Sequence, residues 1–213
     1  TKQKKVLFID RDGTIIAEPP ITFQVDSLEQ LEFLPQVIRN LFFIRQNLDF
    51  EWAMVTNQDG LGTSVYPQEN FDAVQNKMLQ ILDSEGVVFD KVFIDKSFPH
   101  ENLPTRKPGT ALLTSYFSDE YDLPGSYVIG DRITDVILAK NLGCKAIYIS
   151  DDSEELESND LVAYCALQTT DWNRIAEFLF AGERQARIER KTNETDILIE
   201  LNLDERGKSE INT

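Results

Sequence analysis

Five short apolar segments recur along this 213-residue chain, and helical patterns lie between them. The apolar segments span residues 5–10, 52–56, 91–95, 126–130 and 145–149. A strand that reads as a continuous apolar run is buried on both faces, which is typical of parallel sheets covered by helices. Apolar residues at helical spacing occur within residues 37–48, 71–82, 112–117, 136–142 and 172–179. Strands that alternate with helices predict an α/β fold with a doubly wound, mainly parallel sheet.

The charge of the chain argues against polyanionic partners. Lys and Arg number 21 and Asp and Glu number 37, which gives a net charge of −16. Like-charge repulsion opposes general binding to nucleic acids and to acidic membrane surfaces. The longest apolar runs contain four residues, so the sequence predicts neither a membrane span nor a signal sequence.

Cysteine and histidine are scarce. Cys144 and Cys165 cannot form a disulfide framework for a chain of this size, and their flanks lack metal-ligand spacing. We therefore expect a cytoplasmic protein. His100 is the single histidine, so a histidine-based triad or a paired-histidine metal site would depend on this one residue. The composition therefore favours chemistry that is carried by carboxylates.

Polar side chains follow four of the predicted strands, at the point where each strand ends. They belong to residues 10–14 (DRDGT), 56–57 (TN), 106–107 (RK) and 130–135 (GDRITD). Ligands of doubly wound sheets bind at the carboxyl ends of the strands. Asp10 and Asp12 can face one pocket if the chain turns at Gly13, although this segment taken alone also fits a polar strand end and turn. Residues 151–160 carry six acids and no base, and we interpret them as a solvated loop.

These four segments resemble, in the same order, the motifs of the haloacid dehalogenase superfamily of phosphotransferases. The resemblance implies that family's Rossmann-like fold and a phosphate monoester as substrate. It also implies that Asp10 is the nucleophile that forms an aspartyl-phosphate. Asp12 would then be the general acid that protonates the leaving alcohol and the base that activates water.

The resemblance further implies a magnesium site and a set of phosphate-binding groups. The carboxylates of Asp10 and Asp131 and the backbone carbonyl of Asp12 would hold Mg²⁺. The groups that would bind the phosphate are Lys107, Arg106, Thr56 and Asn57. Asp135 would orient Lys107 or a metal-bound water, and it equally fits a structural acid at the start of a helix.

Substrate choice depends on short loops, because the resemblance leaves no room for a cap domain. Neither residues 14–35 nor residues 106–130 form a gap long enough for one, so we expect a capless, open site. Residues 10–14, 18–20, 23–26 and 56–63 are together similar to the histidinol-phosphate phosphatase domains of bifunctional histidine-biosynthesis enzymes. This similarity covers residues 4–180. Glu18 and Gln24 are candidates to contact an imidazole or an amine, and the acidic chain favours such a cationic substrate.

Many relatives carry a zinc-binding loop of cysteines and a histidine before the lysine motif. Residues 95–105 contain no cysteine, so zinc is not predicted, and we expect His100 to be a surface residue.

The end of the chain changes pattern. Residues 197–203 alternate in polarity as a half-buried strand does, and residues 187–195 can supply its partner. This segment is similar to the opening strands of imidazoleglycerol-phosphate dehydratase; an unrelated edge hairpin is the alternative. We therefore expect a phosphatase domain over residues 1–183 and the truncated start of a dehydratase domain over residues 184–213. The chain would then be a fragment of a longer protein that forms homo-oligomers through the missing domain.

The leading expectation is a magnesium-dependent phosphatase that converts L-histidinol phosphate to L-histidinol and phosphate. The second hypothesis is a heptose bisphosphate phosphatase or another small-sugar phosphatase of the same capless branch. A non-catalytic binding module is the third, although such a module would tolerate loss of Asp10 or Lys107, and both are present. A polynucleotide phosphatase lacks support because the composition offers no basic groove.

Overall fold

The computed structural model of the chain describes residues 2–183, 185–191 and 196–202, the last two ranges as backbone. The strands are β1 (Lys5–Ile9), β2 (Phe50–Asn57), β3 (Lys91–Asp95), β4 (Tyr127–Gly130), β5 (Lys145–Tyr148), β6 (Cys165–Gln168), β7 (Gln185–Lys191) and β8 (Asp196–Asn202). The α-helices are α1 (Val37–Asn47), α2 (Gln68–Ser84), α3 (Ile133–Leu142), α4 (Glu154–Ser158) and α5 (Trp172–Glu183). Short 3-10 segments cover Leu28–Gln30, Pro99–Glu101, Ala111–Phe117 and Val162–Tyr164.

Strands β1 to β6 form one sheet in the order β3-β2-β1-β4-β5-β6. Every neighbouring pair in this sheet is parallel. The direction of strand succession therefore reverses between β1 and β4. In doubly wound sheets the crevice at such a reversal is the usual ligand site, because the flanking connections run to opposite faces. Asp10 follows β1 and Asp131 follows β4, so both carboxylates lie at this point.

The central strand β1 shows why the sheet is covered on both faces. Leu7 and Ile9 belong to one core, which contains the apolar faces of α1, α2 and α5. Val6 and Phe8 point the other way, into a second core that contains α3 and the Ala111–Phe117 segment. All four side chains are fully buried. The continuous apolar run thus serves two cores, and the predicted doubly wound parallel sheet is confirmed.

One strand and one short helix differ from the sequence expectations. Strand β6 was not predicted, because its four residues are half-buried or exposed and show no continuous apolar run. Residues 151–160 do not form only a solvated loop, since they contain the helix α4. Leu156 is buried in the second core and is the buried residue of α4, so its side chain anchors this helix in an otherwise acidic segment.

Helix α5 is tied to the loop that follows β1. The indole nitrogen of Trp172 donates to the backbone carbonyl of Thr14 at 3.0 Å, and Trp172 is buried. At the same end of the helix, Asn173 accepts from Asn40 of α1 at 2.9 Å. The turn after Asp10 is therefore held against the first core by a buried hydrogen bond.

Strands β7 and β8 pair antiparallel, from Gln185 opposite Asn202 to Lys191 opposite Asp196. They form a two-stranded sheet separate from the six-stranded one. The predicted alternation at 197–202 thus lies on a strand, whereas Leu203 and the segment 204–213 lie outside the described residues. Within the described part of the chain, no helix combines the length and apolarity needed to cross a membrane.

Replacing Trp172 with phenylalanine tests the tie between α5 and the Thr14 turn. The variant keeps most of the buried ring but leaves the Thr14 carbonyl without its donor. We expect the free energy of unfolding to fall by about 1–3 kcal/mol, measured by urea denaturation. Glu177→Gln, at an exposed position of the same helix, is the control and should change it by less than about 0.5 kcal/mol. Equal stability of Trp172→Phe and the wild type would contradict the assignment.

Candidate active site

A cleft of about 950 Å³ opens at the carboxyl edge of β1, β2 and β4. Nine of the ten residues expected at the site line it: Asp10, Asp12, Glu18, Gln24, Thr56, Asn57, Arg106, Lys107 and Asp131. The tenth, Asp135, lies buried in the first turn of α3 and contacts Lys107. The sheet topology therefore brings together residues that are separated by more than 120 positions in the sequence.

The turn after β1 places two carboxylates at the edge of the sheet. The Asp10 N–H donates to the Ile129 carbonyl at 2.9 Å, which continues the parallel ladder to the last residue before the turn. Gly13 then takes a left-handed conformation with φ 74°. A Cβ on Gly13 would lie 2.0 Å from the Asp131 carboxylate. Glycine is therefore required both for the turn and for the close approach of Asp131.

Lys107 links two buried carboxylates. Its Nζ lies 2.9 Å from Asp10 Oδ1 and 2.8 Å from Asp135 Oδ1. Burial on its own lowers the pKa of Lys107, but the charges of Asp10 and Asp135 outweigh this effect, so the pKa is raised and the ammonium stays charged. Asn57 fixes the lysine backbone, because Asn57 Oδ1 accepts from Lys107 N at 3.0 Å and Asn57 Nδ2 donates to Lys107 O at 3.3 Å.

Asp131 is the least compensated carboxyl group of the site. Its Oδ1 is buried and has no hydrogen-bond partner. Burial raises the pKa of Asp131 to about 8, and the neighbouring carboxylates of Asp10 and Asp135 add to the rise. Burial also raises the pKa of Asp10, against the opposing effect of Lys107. The protonated form of Asp131 is therefore favoured unless a cation lies beside it, because an anionic oxygen without a donor is costly in such surroundings.

The carboxylate cluster fits a divalent cation. One oxygen each from Asp10, Asp131 and Asp135 lies within 4.8 Å of the others. Hard divalent cations prefer oxygen ligands of this kind. Asp135 has less capacity for a metal, because its oxygens accept from Lys107 Nζ at 2.8 Å and from the Arg132 N–H at 3.1 Å. Both Asp135 oxygens thus have donors, whereas Lys107 contacts Asp10 through Oδ1 and Asp131 Oδ1 has no donor. The role of Asp135 in orienting Lys107 stays a prediction.

Two residues that the sequence analysis did not assign hold Asp12. Arg11 is fully buried, and its Nε and Nη2 donate to the two Asp12 carboxylate oxygens at 2.8 and 3.3 Å. Gln58 Nε2 donates to Asp12 Oδ2 at 3.1 Å and to Thr56 Oγ1 at 2.8 Å. The Arg11 guanidinium also lies 4.8 Å from the Phe71 ring centroid. These contacts fix Asp12 relative to Thr56. The only sequence signal was position, because Arg11 lies within the first motif and Gln58 directly follows the second.

The loop between β3 and Lys107 is closed by one buried carboxylate. Asp95 Oδ1 accepts from Ser97 N at 2.9 Å and from Ser97 Oγ at 2.5 Å, and Asp95 Oδ2 accepts from Thr105 Oγ1 at 2.6 Å. His100 stacks on Phe98 within this loop and is exposed, as expected. Thr105 directly precedes Arg106 and Lys107, so the closed loop fixes where these two side chains begin.

Ion pairs occupy the mouth of the cleft. Arg106 pairs with Asp59 at 2.5 Å, and Arg132 pairs with Glu18 at 2.6 Å. The Gln24 amide nitrogen donates to Asp26 Oδ2 at 3.0 Å and to Val65 O at 3.3 Å. This leaves the Gln24 carbonyl oxygen as the part of the amide that can accept from a ligand.

Comparison with curated proteins gives long, close matches. The chain is 60% identical over 212 residues to the "Histidine biosynthesis bifunctional protein HisB" of Bacteroides fragilis, covering 99% of this chain and 57% of that protein. The protein of the same name from Spirosoma linguale is 48% identical over 219 residues, again covering 99% and 57%. The chain thus spans somewhat more than half the length of these relatives. The predicted resemblance to bifunctional histidine-biosynthesis enzymes is confirmed.

Comparison with solved structures identifies the fold. The D,D-heptose 1,7-bisphosphate phosphatase of B. bronchiseptica, solved with magnesium and phosphate, matches with a TM-score of 0.70. It is 24% identical, and the match covers 83% of this chain and 98% of that one. No protein-family model matches the chain.

The Lys107 contacts predict a large effect on stability. Lys107→Met leaves Asp10 and Asp135 buried side by side without a cation, and removal of one partner from a buried ion pair costs about 3–5 kcal/mol. We expect a loss of this size by urea denaturation in metal-free buffer. Adding Asp135→Asn should restore part of it, because one of the two charges is removed. Lys77→Met, at an exposed position of α2, is the control; Lys107→Met with the same stability as Lys77→Met would refute the assignment.

Proposed function

We propose that this chain, which has the haloacid dehalogenase fold and is related in sequence to the bifunctional HisB proteins along almost its whole length, hydrolyses L-histidinol phosphate to L-histidinol and phosphate with Mg²⁺. The observation that carries the proposal is the buried pair of Asp10 and Lys107 beside the unpartnered Asp131 oxygen, at the sheet's reversal point. A carboxylate nucleophile, a cation for phosphate oxygens and an acidic metal site are together the groups that phosphoryl transfer through an aspartyl-phosphate uses.

Asp10 and Asp12 divide the reaction into two steps. In the first, a carboxylate oxygen of Asp10 bonds to phosphorus while the bond from phosphorus to the ester oxygen breaks, and Asp12 donates a proton to that leaving oxygen. In the second, Asp12 as carboxylate accepts a proton from water, whose oxygen attacks phosphorus and releases inorganic phosphate and free Asp10. Arg11 and Gln58 keep Asp12 in place for both proton transfers.

The other polar groups of the cleft would stabilise the negative charge of the phosphate. Mg²⁺ held by the carboxylates of Asp10 and Asp131 and by the Asp12 backbone carbonyl would reduce the repulsion between a carboxylate nucleophile and a phosphate dianion. Lys107 and the Thr56 hydroxyl would bind the transferring phosphoryl oxygens, with Asn57 holding the lysine backbone. Asp135 keeps the Lys107 ammonium at the cleft.

The charges of the cleft favour a cationic organic group over a second phosphate. Its lining contains six acids and three bases. Lys107 is required at the reacting phosphate, and Arg106 and Arg132 are each paired with a carboxylate. The charge of each arginine is thus already compensated by a carboxylate, which weakens the attraction for a second phosphate. An amine or imidazolium can instead meet the Glu18 oxygen that does not contact Arg132 and the Gln24 carbonyl oxygen. This argues for an amino-alcohol phosphate and against the heptose bisphosphate alternative, and the names of the sequence relatives agree with it.

We also propose the division into domains and its consequences. Residues 1–183 would form the phosphatase domain and residues 184–213 the start of a dehydratase domain. Support comes from the separate β7–β8 sheet and from the 57% coverage of the bifunctional relatives. The complete protein would form homo-oligomers through its second domain and work in the cytoplasm, as expected for biosynthesis from a small-molecule phosphate.

Phosphate release from three esters tests the proposal. We expect L-histidinol phosphate to be preferred over heptose bisphosphate and a 3′-phosphorylated oligonucleotide. Activity should disappear with chelator, return with Mg²⁺, and fall at least about 10³-fold in Asp10→Asn because the nucleophile is lost. Asp49→Asn, at an exposed carboxylate, is the control. Equal hydrolysis of all three esters would refute the substrate, and no hydrolysis of any ester would favour the binding module.

Asp12→Asn separates the two proton transfers. With L-histidinol phosphate we expect kcat/KM to fall by about 10²–10⁴-fold, because the leaving alcohol needs a proton. With p-nitrophenyl phosphate the leaving group needs none, so stopped-flow measurement should show one rapid equivalent of nitrophenol followed by slow turnover. The slow phase reflects an aspartyl-phosphate that water attacks without a base. A first-equivalent rate reduced as strongly as for the alkyl ester would contradict the acid role of Asp12.

A further inference from the structure

Phe23 adopts a backbone conformation that aromatic residues rarely take. Its φ is 54°, in the left-handed region, where a side chain with a Cβ is strained. Phe23 is also 59% exposed and lines the cleft. Neither feature helps the core, since burial of the ring would stabilise the fold more than its display. Strained residues of this kind persist where the surrounding structure imposes them, and they occur often at ligand sites.

The surrounding structure imposes this conformation from both sides. The Phe23 N–H donates to the Pro19 carbonyl at 3.0 Å. On the other side, Gln24 donates to the Val65 carbonyl at 3.3 Å, and the Tyr66 hydroxyl donates to the Val25 carbonyl at 3.0 Å. Val25 is fully buried. The loop is thus anchored before and after Phe23, and the ring is presented at the cleft mouth by contacts that leave it exposed.

The neighbours of the ring fit a planar ligand. The Arg132 guanidinium lies 6.0 Å from the ring centroid and is itself held by Glu18. Across the lining, the loop after β3 contributes Leu103, an exposed apolar side chain. An aromatic face beside carboxylate and amide oxygens suits a flat, nitrogen-bearing ring, because the ring can stack on Phe23 while the oxygens accept from its N–H groups. A polyol chain offers no face for such stacking.

We infer that Phe23 forms an aromatic subsite for the planar ring of the substrate's organic part. This inference rests on the proposed function and deepens it, since it assigns the residue that distinguishes a ring-bearing amino-alcohol phosphate from esters without a ring. Phe23 acts in binding and leaves the chemistry at Asp10 unchanged.

The test compares two substrates that differ only in the ring: L-histidinol phosphate and L-alaninol phosphate, each with Mg²⁺. In Phe23→Ala we expect KM for L-histidinol phosphate to rise about 10- to 50-fold with kcat within threefold, as the loss of a stacking contact predicts. KM for L-alaninol phosphate should change less than threefold. Phe23→Tyr should keep the wild-type KM, and Phe23→Leu should resemble Phe23→Ala, because it keeps apolar bulk without a π-face.

Ile21→Ala is the matched control, since Ile21 is an 86% exposed apolar residue of the same loop that does not line the cleft; it should leave both KM values unchanged. Equal changes for both substrates in Phe23→Ala, or no change for either, would overturn the subsite while the proposed function stands. A wild-type protein that hydrolyses neither ester, or prefers L-alaninol phosphate, would overturn the proposed function and the subsite together.

Discussion

The crowding of carboxylates at the reversal point of the sheet is the constraint on which the site depends. Asp10, Asp131 and Asp135 come from two strand ends and one helix start, and buried like charges at this distance repel each other. Lys107 compensates Asp10 and Asp135. It leaves Asp131 with a buried, unpartnered oxygen. A divalent cation is the compensation that fits this oxygen, and the same positive charge is what a phosphate dianion needs when it approaches a carboxylate.

The positions of these groups could be predicted because they follow from strand ends, and strand ends are visible in the sequence. The apolar run of β1 stops at Asp10, and that of β4 stops at Gly130, so the parallel order alone brings Asp10 and Asp131 to one edge. Strand β6 could not be predicted, because an edge strand with half-buried residues lacks the continuous apolar pattern. Helix α4 depends on the burial of Leu156 in the second core. This tertiary contact could not be predicted from a segment that is otherwise rich in acidic residues.

The orientation of the site's polar groups was beyond the sequence for a similar reason. Arg11 belongs to a motif in which roles were assigned only to its neighbours. Arginine is rarely buried completely, so nothing in the sequence indicated the full burial that the structure shows. Its bidentate contact with Asp12, and the bridge that Gln58 makes to Thr56, depend on side-chain directions after the turn. Gln24 was expected to contact ligand, and only the structure shows that its nitrogen is committed to Asp26 and Val65.

An open cleft without a cap domain has to select its substrate with loops that are already in place. A cap domain can close over the substrate, and part of the binding free energy then drives this closure. A loop without a cap contributes most to affinity when it is already ordered before the substrate binds. The loops here are fixed by short polar links: Asp95 closes the segment before Arg106, and Tyr66 holds the segment that displays Phe23. These links order the loops in the free protein, so the strain of the Phe23 backbone is already present before the substrate binds. It therefore lowers the free energy of unfolding and does not lower the affinity for the substrate.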